Sequence, residues 1–335
     1  MAASAGTQAK AKTLMAQAYC TDEQFIKAWN ECGGYHKTMM EKFGFGSGAA
    51  VGLRRRTIEK RQKITLHSAA PNSMRNAATR RQHNRRIERH IENGIIIVVS
   101  DVHRWPGKLT TAQRGAIALC ERLKPSMKII NGDLFDGAKI SRFPAAIWAM
   151  EKRPNVAQEL EACQDFAEPF RQASVNGEDI WLLGNHDMRM EGRLAAVAPE
   201  YEGVKGFHLA DHFPGWQFGM SLFINDDLVI KHRYANGIHA VYNNAVKSGR
   251  SIVTGHLHSL KVTPWTDYNG TRYGVDTGTL ADPHGPQFDY AEENPLNHRS
   301  GFVVLTIKSG RLLMPELCQV WDEDHVEFRG ELVRV

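Results

Sequence analysis

The sequence predicts an α/β fold preceded by a small all-helical module, and three observations predict it. Short runs of β-branched residues recur from residue 95 onward, at the length expected of buried strands. Longer stretches with helical periodicity separate the first three runs, as in the crossover units of a largely parallel sheet. Ahead of these runs, between residues 21 and 62, three shorter helical patterns are separated by glycines.

The composition bounds the class of protein. The chain has 335 residues, of which 42% are hydrophobic, enough for one large domain and a small one. Its five cysteines are odd in number and have no CxxC spacing, which indicates neither a disulfide framework nor a thiolate zinc site. The first residues lack the apolar core of a signal peptide, and no apolar run approaches the roughly 18 residues of a membrane helix. We therefore expect a soluble cytoplasmic protein without a membrane partner, whose oligomeric state the sequence does not fix.

The first part of the chain is predicted to contain a disordered tail and three short helices. Residues 1–20 are small and polar and lack periodicity. A capping box at Thr21 begins the first helix, DEQFIKAWNE, and glycine turns separate it from YHKTMMEKF and AAVGLRRRTIEKR. Three helices with a basic last helix resemble a helix-turn-helix, so residues 21–62 are predicted to bind nucleic acid. Tri-helical folds also serve as packing or dimerisation modules, and that alternative stays open.

The basic residues are concentrated in one block. Twelve Lys or Arg and two Glu lie between Arg54 and His90, a net charge of +10 in a chain whose total is +5, so the rest of the chain carries −5. This asymmetry indicates a polyanionic partner, with DNA favoured, and a solvated basic linker is the alternative. We expect residues 63–93 to be a basic linker that becomes helical near its end. The predicted nucleic-acid contacts are Arg54, Arg55, Arg56, Lys60 and Arg61.

The predicted α/β domain spans residues 94–335. Its first strands are IIIVVS (95–100), MKIIN (127–131) and DIWLLG (179–184), separated by the helices TTAQRGAIALCERL and NVAQELEACQDFAEPFRQA. Two further strands are DLVIKH (227–232) and SIVTGH (251–256). After His258 strands dominate, and RYGVDTGTL, GFVVLTI and HVEFRGELV are expected to form a second, mixed sheet.

Each of the five strands before His258 ends in residues that can bind a metal ion or a phosphate. These blocks are Asp101-Val102-His103, Gly132 to Asp136, Asn185-His186-Asp187, His232, and Gly255 to His258. Ligands of open α/β sheets bind at the carboxyl ends of the strands, so these side chains are expected to converge. Oxygen and imidazole ligands without cysteine favour Mn, Fe or Zn over an all-oxygen calcium or magnesium site.

The series DVH, GDLFD, GNHD, KH and GHLH resembles the five sequence blocks of the calcineurin-like metallophosphoesterases, in their order, over residues 94–280. The resemblance implies a double β-sandwich flanked by helices and a dinuclear metal centre. It implies seven metal ligands, namely Asp101, His103 and His258 for the first ion, Asn185, His232 and His256 for the second, and Asp133 as the bridge between them.

The same resemblance gives two residues a catalytic role. His186 would face the substrate as a general acid, and Asp187 would orient it. The family usually has glycine after the fourth-block histidine, where this chain has Arg233. Arg233 is therefore a candidate contact for the substrate phosphate, and His239 is the nearest rival of His232 as a ligand.

Residues 268–290 are similar to phosphoesterases encoded by phages and prophages, some of which carry an N-terminal helix-turn-helix-like segment. A phage-encoded protein would work in the cytoplasm of a bacterial host.

The predicted chemistry is that of a metal-dependent hydrolase. Two divalent transition-metal ions about 3.5–4 Å apart, Mn first and Fe, Zn or Ni next, would clamp phosphoryl oxygens and turn a bridging water into the attacking hydroxide. The predicted function is phosphodiester hydrolysis, and the basic block favours a DNA nuclease. The alternative is a phosphatase or phosphodiesterase acting on a small-molecule or protein phosphate ester. A DNA-binding protein with a regulatory or vestigial metal site is a further alternative, which the complete ligand set disfavours.

Overall fold

The structure is a computed structural model that describes residues 20–66, 86–141, 152–291 and 294–335. The chain divides into two compact units, residues 1–77 and 78–335. The predicted disordered tail, apart from Cys20, and residues 67–85 of the predicted linker lie outside the described residues. None of the described helices combines the length and the apolar character needed to span a bilayer.

Three helices form the described part of the first unit, namely α1 (Asp22–Glu31), α2 (His36–Phe43) and α3 (Gly48–Gln62). The predicted capping box of α1 is confirmed. The Gln24 N–H donates to the Thr21 hydroxyl at 3.2 Å, and the Thr21 N–H donates to Gln24 Oε1 at 2.9 Å. These bonds satisfy two of the amide groups that every helix leaves unpaired at its start.

A small apolar core holds these three helices together. Phe25 and Trp29 of α1 stack with ring centroids 5.7 Å apart, and they share this core with Met39 of α2 and with Val51 and Ile58 of α3. All five side chains are fully buried. The first unit is therefore a packed helical module, and its helix-turn-helix character stays a prediction.

Two sheets form the frame of the second unit. The larger sheet contains β2 (Gly94–Val99), β3 (Met127–Ile130), β4 (Glu178–Leu182), β5 (Gln217–Gly219), β11 (Gly301–Lys308), β12 (Arg311–Leu312), β13 (Glu316–Val320), β14 (His325–Phe328) and β15 (Glu331–Arg334). The smaller sheet contains β1 (Ile87–Arg89), β6 (Leu222–Ile224), β7 (Leu228–Ile230), β8 (Ser251–Thr254), β9 (Lys261–Asp267) and β10 (Gly270–Asp276). Among the described residues the strand orders are β15-β14-β13-β11-β2-β3-β4-β5, with β12 beside β11, and β1-β6-β7-β8-β10-β9.

Four α-helices accompany these sheets in the described ranges, namely α4 (Thr111–Leu123), α5 (Val156–Gln172), α6 (Arg189–Val197) and α7 (Ala240–Ser248). Short 3₁₀ turns lie at Pro199–Tyr201, Leu209–His212 and Pro286–Ala291. Capping boxes begin α4 at Thr110 and α5 at Asn155. The predicted crossover helices are therefore confirmed between β2, β3 and β4.

The central strand β2 is buried on both faces of the larger sheet. Successive residues of a strand point to opposite sides, so its side chains enter two different cores. Ile97 and Val99 of β2 belong to a core shared with helices α4 and α5. Ile96 and Val98 of the same strand belong to a second core, shared with the smaller sheet. A double β-sandwich flanked by helices is thus confirmed as the fold.

The C-terminal strands differ from the sequence expectation. RYGVDTGTL contributes β10 to the smaller sheet as predicted, but GFVVLTI and HVEFRGELV do not follow it. GFVVLTI forms β11, which pairs antiparallel with β2 and places Val303 opposite Val98. Strands β13, β14 and β15 then extend the larger sheet beyond β11. An apolar pattern identifies a strand, but it does not identify the strand's partner.

The end of the predicted basic linker also differs from expectation. We expected it to become helical, whereas residues 87–89 form β1, which runs parallel to β6. Ile87 is buried in the core between the sheets, and Glu88 is exposed. The alternation of a buried apolar and an exposed polar side chain is the pattern of a strand, and it explains why these residues form β1 and not the expected helix.

Candidate active site

The carboxyl ends of five strands bring the predicted blocks together. Strands β2, β3 and β4 run parallel in the larger sheet, and β7 and β8 run parallel in the smaller one. Just beyond them, the Asp101 N–H donates to the Gly132 carbonyl and the His103 N–H donates to the Asp133 carbonyl, both at 2.9 Å. The His256 N–H donates to Asp101 Oδ2 at 2.8 Å and links the two sheets at this edge.

The backbone of these blocks adopts a left-handed conformation that favours glycine, although the residues are Asp and His. Five of the seven predicted ligands have positive φ, at +52° for Asp101, +40° for His103, +57° for Asp133, +74° for His256 and +58° for His258. Such conformations cost of order 1–3 kcal/mol each and persist where the surrounding structure enforces them, commonly at functional sites.

Two glycines of the blocks are required by close approach. A Cβ on Gly184 would overlap the Asp133 carboxylate. Gly132 has φ of +90°, and a Cβ there would lie 2.5 Å from His232 Nδ1. The glycines of GDLFD and GNHD therefore let strands β3 and β4 approach the ligand side chains.

The first predicted ligand set is brought together in the structure. Asp101, His103 and His258 each offer a ligand atom within 4.8 Å of the other two. Asp101 Oδ1 lies 3.0 Å from His258 Nε2 and 3.9 Å from His103 Nε2. Burial raises the pKa of Asp101, but the imidazoles of His258 and His232 outweigh it and hold that pKa below its usual range. Asp101 is therefore an ionised, fully buried carboxylate that could hold a metal ion.

Three of the four residues predicted around the second ion are brought together likewise. Ligand atoms of Asp133, His232 and His256 all lie within 4.8 Å of one another. Asp133 Oδ2 lies 3.0 Å from His232 Nε2, while His232 Nδ1 donates to the Asn131 carbonyl at 2.7 Å. Burial opposes the charge on His232, but Asp133 and Asp101 raise the pKa of its imidazole to about 10. A cation beside these carboxylates would take over that role and displace the proton.

Three buried atoms show that metal ions fit these side chains. Among the described residues, His103 Nε2 and Asn185 Oδ1 have no hydrogen-bond partner, and His232 Nε2 has only the 3.0 Å charge contact with Asp133, without hydrogen-bond geometry. A buried polar atom without a partner costs about 1–3 kcal/mol, so such atoms in a native protein call for an explanation. Each of the three belongs to a predicted ligand, and together they supply the mixed nitrogen and oxygen set that Mn, Fe or Zn prefers.

Asp136 connects the metal ligands to the predicted general acid. Its Oδ1 accepts from His186 Nδ1 at 2.6 Å and from His103 Nδ1 at 3.2 Å, and its Oδ2 accepts from Trp105 Nε1 at 2.9 Å. Burial raises the pKa of Asp136, but these bonds to His103 and His186 hold it well below the usual range. Both histidines therefore carry their proton on Nδ1 and leave Nε2 for a ligand or a substrate.

The predicted orienting role of Asp187 is corrected by the structure. Asp187 is fully buried, and its carboxylate accepts from the backbone N–H groups of Asp133, Phe135 and Gly184 at 2.8–3.1 Å. The Trp181 indole N–H donates to it at 3.1 Å. Burial and the charge of Asp133 raise the pKa of Asp187 to about 6. Asp187 therefore fixes the turns that carry the ligands, while Asp136 contacts the His186 ring.

A cavity of about 450 Å³ opens in front of these groups. Its lining includes His186, Arg189, Arg153, Trp105, Gln287 and Phe288. Arg189 Nη2 donates to His186 Nε2 at 3.0 Å, and Arg189 Nη1 donates to the Asp136 carbonyl at 2.6 Å. The Phe288 ring lies edge-on to two ligand imidazoles, 5.8 Å from His103 and 5.4 Å from His258.

These lining residues, apart from His186, were missed by sequence reasoning. Arg189 had one available signal, since it lies two residues after the GNHD block. Phe288 lies within the segment that resembles phage phosphoesterases. For Trp105 and Arg153, which lie in loops, periodicity gives no signal.

The positions of the two histidines decide which of them is the candidate ligand of the fourth block. His232 is buried beside Asp133, whereas His239 is exposed at the start of α7. Arg233 is exposed and is not among the residues that line the cavity. The structure therefore places His232 with the ligands and leaves Arg233 at the surface beside them.

Two of the predicted nucleic-acid contacts stabilise the helical unit itself. Arg54 and Arg61 of α3 both form ion pairs with Asp22 of α1, and the Arg54 pair measures 2.8 Å. The side chains of Arg54 and Asp22 are only 14% and 13% exposed. Arg54 also donates to the Cys20 carbonyl at 3.1 Å.

The other three predicted contacts differ in exposure. Arg55 lies over the Trp29 ring, 5.5 Å from its centroid, and is half-buried. Arg56 and Lys60 are exposed. These two cations are the members of the predicted set that a polyanion can reach most directly.

Comparison with known proteins agrees with the geometry. The sequence profile of the calcineurin-like phosphoesterase family matches residues 95–279. The chain is 26% identical over 247 residues to the Gene 54 protein of Mycobacterium phage L5, and 25% identical over 249 residues to that of Mycobacterium phage D29. Each match covers 67% of this chain and 93% of the phage protein.

Among solved structures, the chain is similar to the phosphoesterase Yfce from E. coli, with a TM-score of 0.34 and 14% identity, covering 66% of this chain and 97% of that one. It is also similar to a protein serine/threonine phosphatase from Saccharomyces cerevisiae, with a TM-score of 0.33 and 14% identity, covering 76% and 92%.

The family profile spans more than half of the chain and contains all five blocks, which carry the three groups of candidate metal ligands found in the described residues. The chain therefore belongs to the calcineurin-like phosphoesterases, metal-dependent hydrolases with a dinuclear divalent-metal site, in a form that mycobacteriophages also encode.

Proposed function

We propose that the chain hydrolyses phosphodiester bonds in nucleic acid, with DNA the favoured substrate and Mn²⁺ the favoured metal. The observation that carries the proposal is the charge distribution. The block between Arg54 and His90 carries +10, and the rest of the chain carries −5. Neutralisation of backbone phosphates by Lys and Arg is the main attraction between proteins and nucleic acids. On α3, the exposed Arg56 and Lys60 belong to this block.

The metal ligands supply the first half of the mechanism. Asp101, His103 and His258 would hold one ion, Asn185, His232 and His256 the other, and Asp133 would contact both. When bound, two divalent cations would supply Lewis-acid polarisation of the phosphoryl group.

His186 supplies the second half, which is a proton for the leaving oxygen. Its Nδ1 donates to Asp136 at 2.6 Å, so Nε2 is the nitrogen that faces the substrate cavity. A proton on Nε2 would be stabilised by the Asp136 carboxylate and transferred to the departing ester oxygen. Such proton transfer contributes about 10²- to 10⁴-fold to rate.

Arg189 lies where it could exchange its contact with His186 for a contact with the substrate phosphate. Its guanidinium donates to His186 Nε2 at 3.0 Å, so that nitrogen is unprotonated while the contact lasts. An incoming phosphate offers the guanidinium a better acceptor, because Arg pairs with phosphate oxygens through two parallel hydrogen bonds. Transfer of Arg189 to the substrate would free His186 Nε2 to take up its proton.

Hydrolysis of a small phosphate ester is the second candidate function, and the cavity volume is compatible with it. About 450 Å³ lies within the range of pockets that bind single small molecules. The same volume also accommodates one nucleotide unit of a longer chain, so the cavity alone does not separate the two substrates.

The test is a panel of substrates assayed with Mn²⁺. It contains single- and double-stranded DNA, RNA, a cyclic dinucleotide, bis-p-nitrophenyl phosphate and p-nitrophenyl phosphate, and each is assayed in parallel with the Asp133→Asn variant to exclude a contaminating nuclease. We expect the unmodified chain to cleave DNA and the diester, with Asp133→Asn inactive on both. Hydrolysis of the monoester with no action on DNA or RNA would overturn the proposal in favour of the second candidate.

Salt dependence gives an independent test of the basic helix. Replacing Arg56 and Lys60 with Gln is expected to reduce the log-log salt slope of duplex DNA binding by up to about 2, because each phosphate contact contributes about 0.9. Lys37→Gln, also exposed in the helical unit, is the matched control. An unchanged slope in the double variant would remove α3 from the nucleic-acid contact.

A further inference from the structure

A second basic stretch of sequence lies in the second unit, residues 78–335. From residue 228 to residue 266 the sequence contains five Lys or Arg and no Asp or Glu. The cations are Lys231, Arg233, Lys247, Arg250 and Lys261. The acidic residue that ends this stretch, Asp267, is neutralised by Arg272, whose guanidinium donates to both of its carboxylate oxygens at 3.1 and 2.7 Å.

Aromatic side chains are exposed among these cations. Tyr234 is 47% exposed and Tyr242 is 42% exposed. Lys231 Nζ lies 5.4 Å from the centroid of the Tyr234 ring. The Tyr242 ring lies edge-on to Trp265 of β9, with centroids 5.3 Å apart. We call Lys231, Arg233, Tyr234, Tyr242, Lys261 and Trp265 the aromatic–basic surface.

The loop that carries part of this surface is anchored to regular structure at both sides. The Ala235 N–H donates to Asn244 Oδ1 of α7 at 3.0 Å. Lys261 Nζ of β9 donates to the Ile238 carbonyl at 3.1 Å. The backbone of this loop is therefore held in place before any partner binds, which lowers the entropy cost of binding.

The aromatic–basic surface adjoins the metal site through the chain itself. Lys231 and Arg233 flank the ligand His232, at the point where β7 ends. The Gly255 N–H donates to the His232 carbonyl at 3.0 Å, which joins this turn to the turn that carries His256. A partner bound on the surface would thus be led directly to the second ligand set.

We propose that the aromatic–basic surface binds single-stranded nucleic acid and presents it to the metal site. Unpaired bases stack on the rings of Tyr234 and Tyr242, while Lys231, Arg233 and Lys261 contact the backbone phosphates. Sequence-tolerant binding of single strands generally combines a basic track with aromatic stacking platforms. Base pairing conceals the faces of the bases, so a duplex would gain the charge contacts without the stacking. The inference rests on the proposed function, since it names the form of nucleic acid that the same active site receives.

The experiment compares binding and cleavage of a 20-nucleotide oligo-dT with those of a 20-base-pair duplex, using the full chain with Mn²⁺. Binding is measured by fluorescence anisotropy in a His186→Ala background, to slow turnover. The test variant is Tyr234→Ala with Tyr242→Ala, and its partner is Tyr234→Phe with Tyr242→Phe, which keeps both rings. Tyr201→Ala is the matched control, because Tyr201 is 45% exposed but lies between Glu200 and Glu202.

We expect the double Ala variant to bind oligo-dT at least about tenfold more weakly than the Tyr201→Ala control. The double Phe variant should retain most of the affinity, which shows that the loss reflects stacking and not misfolding. Duplex binding should weaken less than oligo-dT binding. In the unmodified His186 background, the loss in kcat/KM on oligo-dT should exceed the loss on bis-p-nitrophenyl phosphate by a similar factor.

The outcomes separate this inference from the function on which it rests. If the double Ala variant matches Tyr201→Ala on oligo-dT while the chain cleaves DNA, the surface assignment is wrong and the proposed function stands. If oligo-dT binding depends on the two tyrosines but no nucleic acid is cleaved, the surface stands and the nuclease proposal fails. A chain that neither binds nor cleaves nucleic acid overturns both.

Discussion

Asp136 Oδ1 accepts a hydrogen bond from His186 Nδ1 at 2.6 Å, and the same oxygen accepts one from the ligand His103 at 3.2 Å. One carboxylate oxygen thus orients both a metal ligand and the group that faces the substrate. If His103 holds the first ion and His186 is the general acid, ion binding and alignment of the acid would be coupled through this atom.

Asp136→Asn is expected to lower turnover by about 10- to 100-fold, the usual effect of removing a carboxylate that orients a ligand histidine. The amide cannot accept from both histidines with a charged oxygen, so His103 and His186 lose their fixed orientation. Steady-state kinetics on bis-p-nitrophenyl phosphate measures the effect, and Asp165→Asn, at an exposed position of α5, is the control. Wild-type turnover in Asp136→Asn would show that the contact has no catalytic role.

His186→Ala is expected to retain its metal content but to lose turnover by about 10²-fold or more. His186 is outside both ligand sets, so its removal leaves all seven ligands in place. The loss should be smaller for an ester with a nitrophenolate leaving group, because that group departs without a proton. Equal losses on activated and unactivated esters would contradict the general-acid role.

Asp187→Asn is expected to act on stability. The Asp187 carboxylate accepts four hydrogen bonds, and an amide nitrogen in its place would face N–H donors. We expect a loss of about 3 kcal/mol or more in the free energy of unfolding. Thermal unfolding followed by tryptophan fluorescence measures it, since Trp181 donates to this carboxylate, and Asp226→Asn is an exposed control. Unchanged stability with lost activity would restore the catalytic role first predicted for Asp187.

Glu191 gives the protein a defined pH dependence of stability. Burial, and then the charge of Asp187, raise the pKa of Glu191 from 4.5 to about 7. The folded protein therefore keeps a proton that the unfolded chain loses above about pH 4.5. The contribution of this group is fully present below that pH and falls as the pH rises to about 7, by on the order of 2–3 kcal/mol.

Glu191→Gln removes this titration, so the melting temperature of the variant should rise relative to that of the unmodified chain between pH 5 and pH 8. Glu200→Gln, at an exposed position, is the control. A constant difference between the Glu191→Gln variant and the unmodified chain across this range would refute the assignment.

The convergence of the five blocks could be predicted from the sequence because each block follows a strand directly, and the resemblance to the family indicated which of their side chains are the ligands. Five short blocks at five strand ends converge wherever those strands share an edge, so their grouping follows from topology alone. The contact between Asp136 and His186 has no such signal. Asp136 lies six residues beyond the end of β3, and the course of that turn depends on the left-handed backbone at Gly132 and Asp133.

The pairing of strands distant in the chain is the second feature that could not be predicted from the sequence. The pattern of GFVVLTI predicts a buried strand, but the pairing of Val303 with Val98 joins residues about two hundred positions apart. The partners of the charged residues on the basic helix α3 could not be predicted either. Five cations on α3 predicted a surface that binds nucleic acid, yet two of them, Arg54 and Arg61, form ion pairs with Asp22 on another helix.

The number of metal ions bound per chain tests the central claim most directly. The protein is stripped with chelator, reconstituted with Mn²⁺, freed of excess ion and analysed for metal, in parallel with Asp133→Asn and with the exposed control Asp226→Asn. We expect two ions per chain in the unmodified protein and in Asp226→Asn, and fewer in Asp133→Asn, because Asp133 is the ligand assigned to both. One ion or none in the reconstituted, folded protein would contradict the dinuclear site.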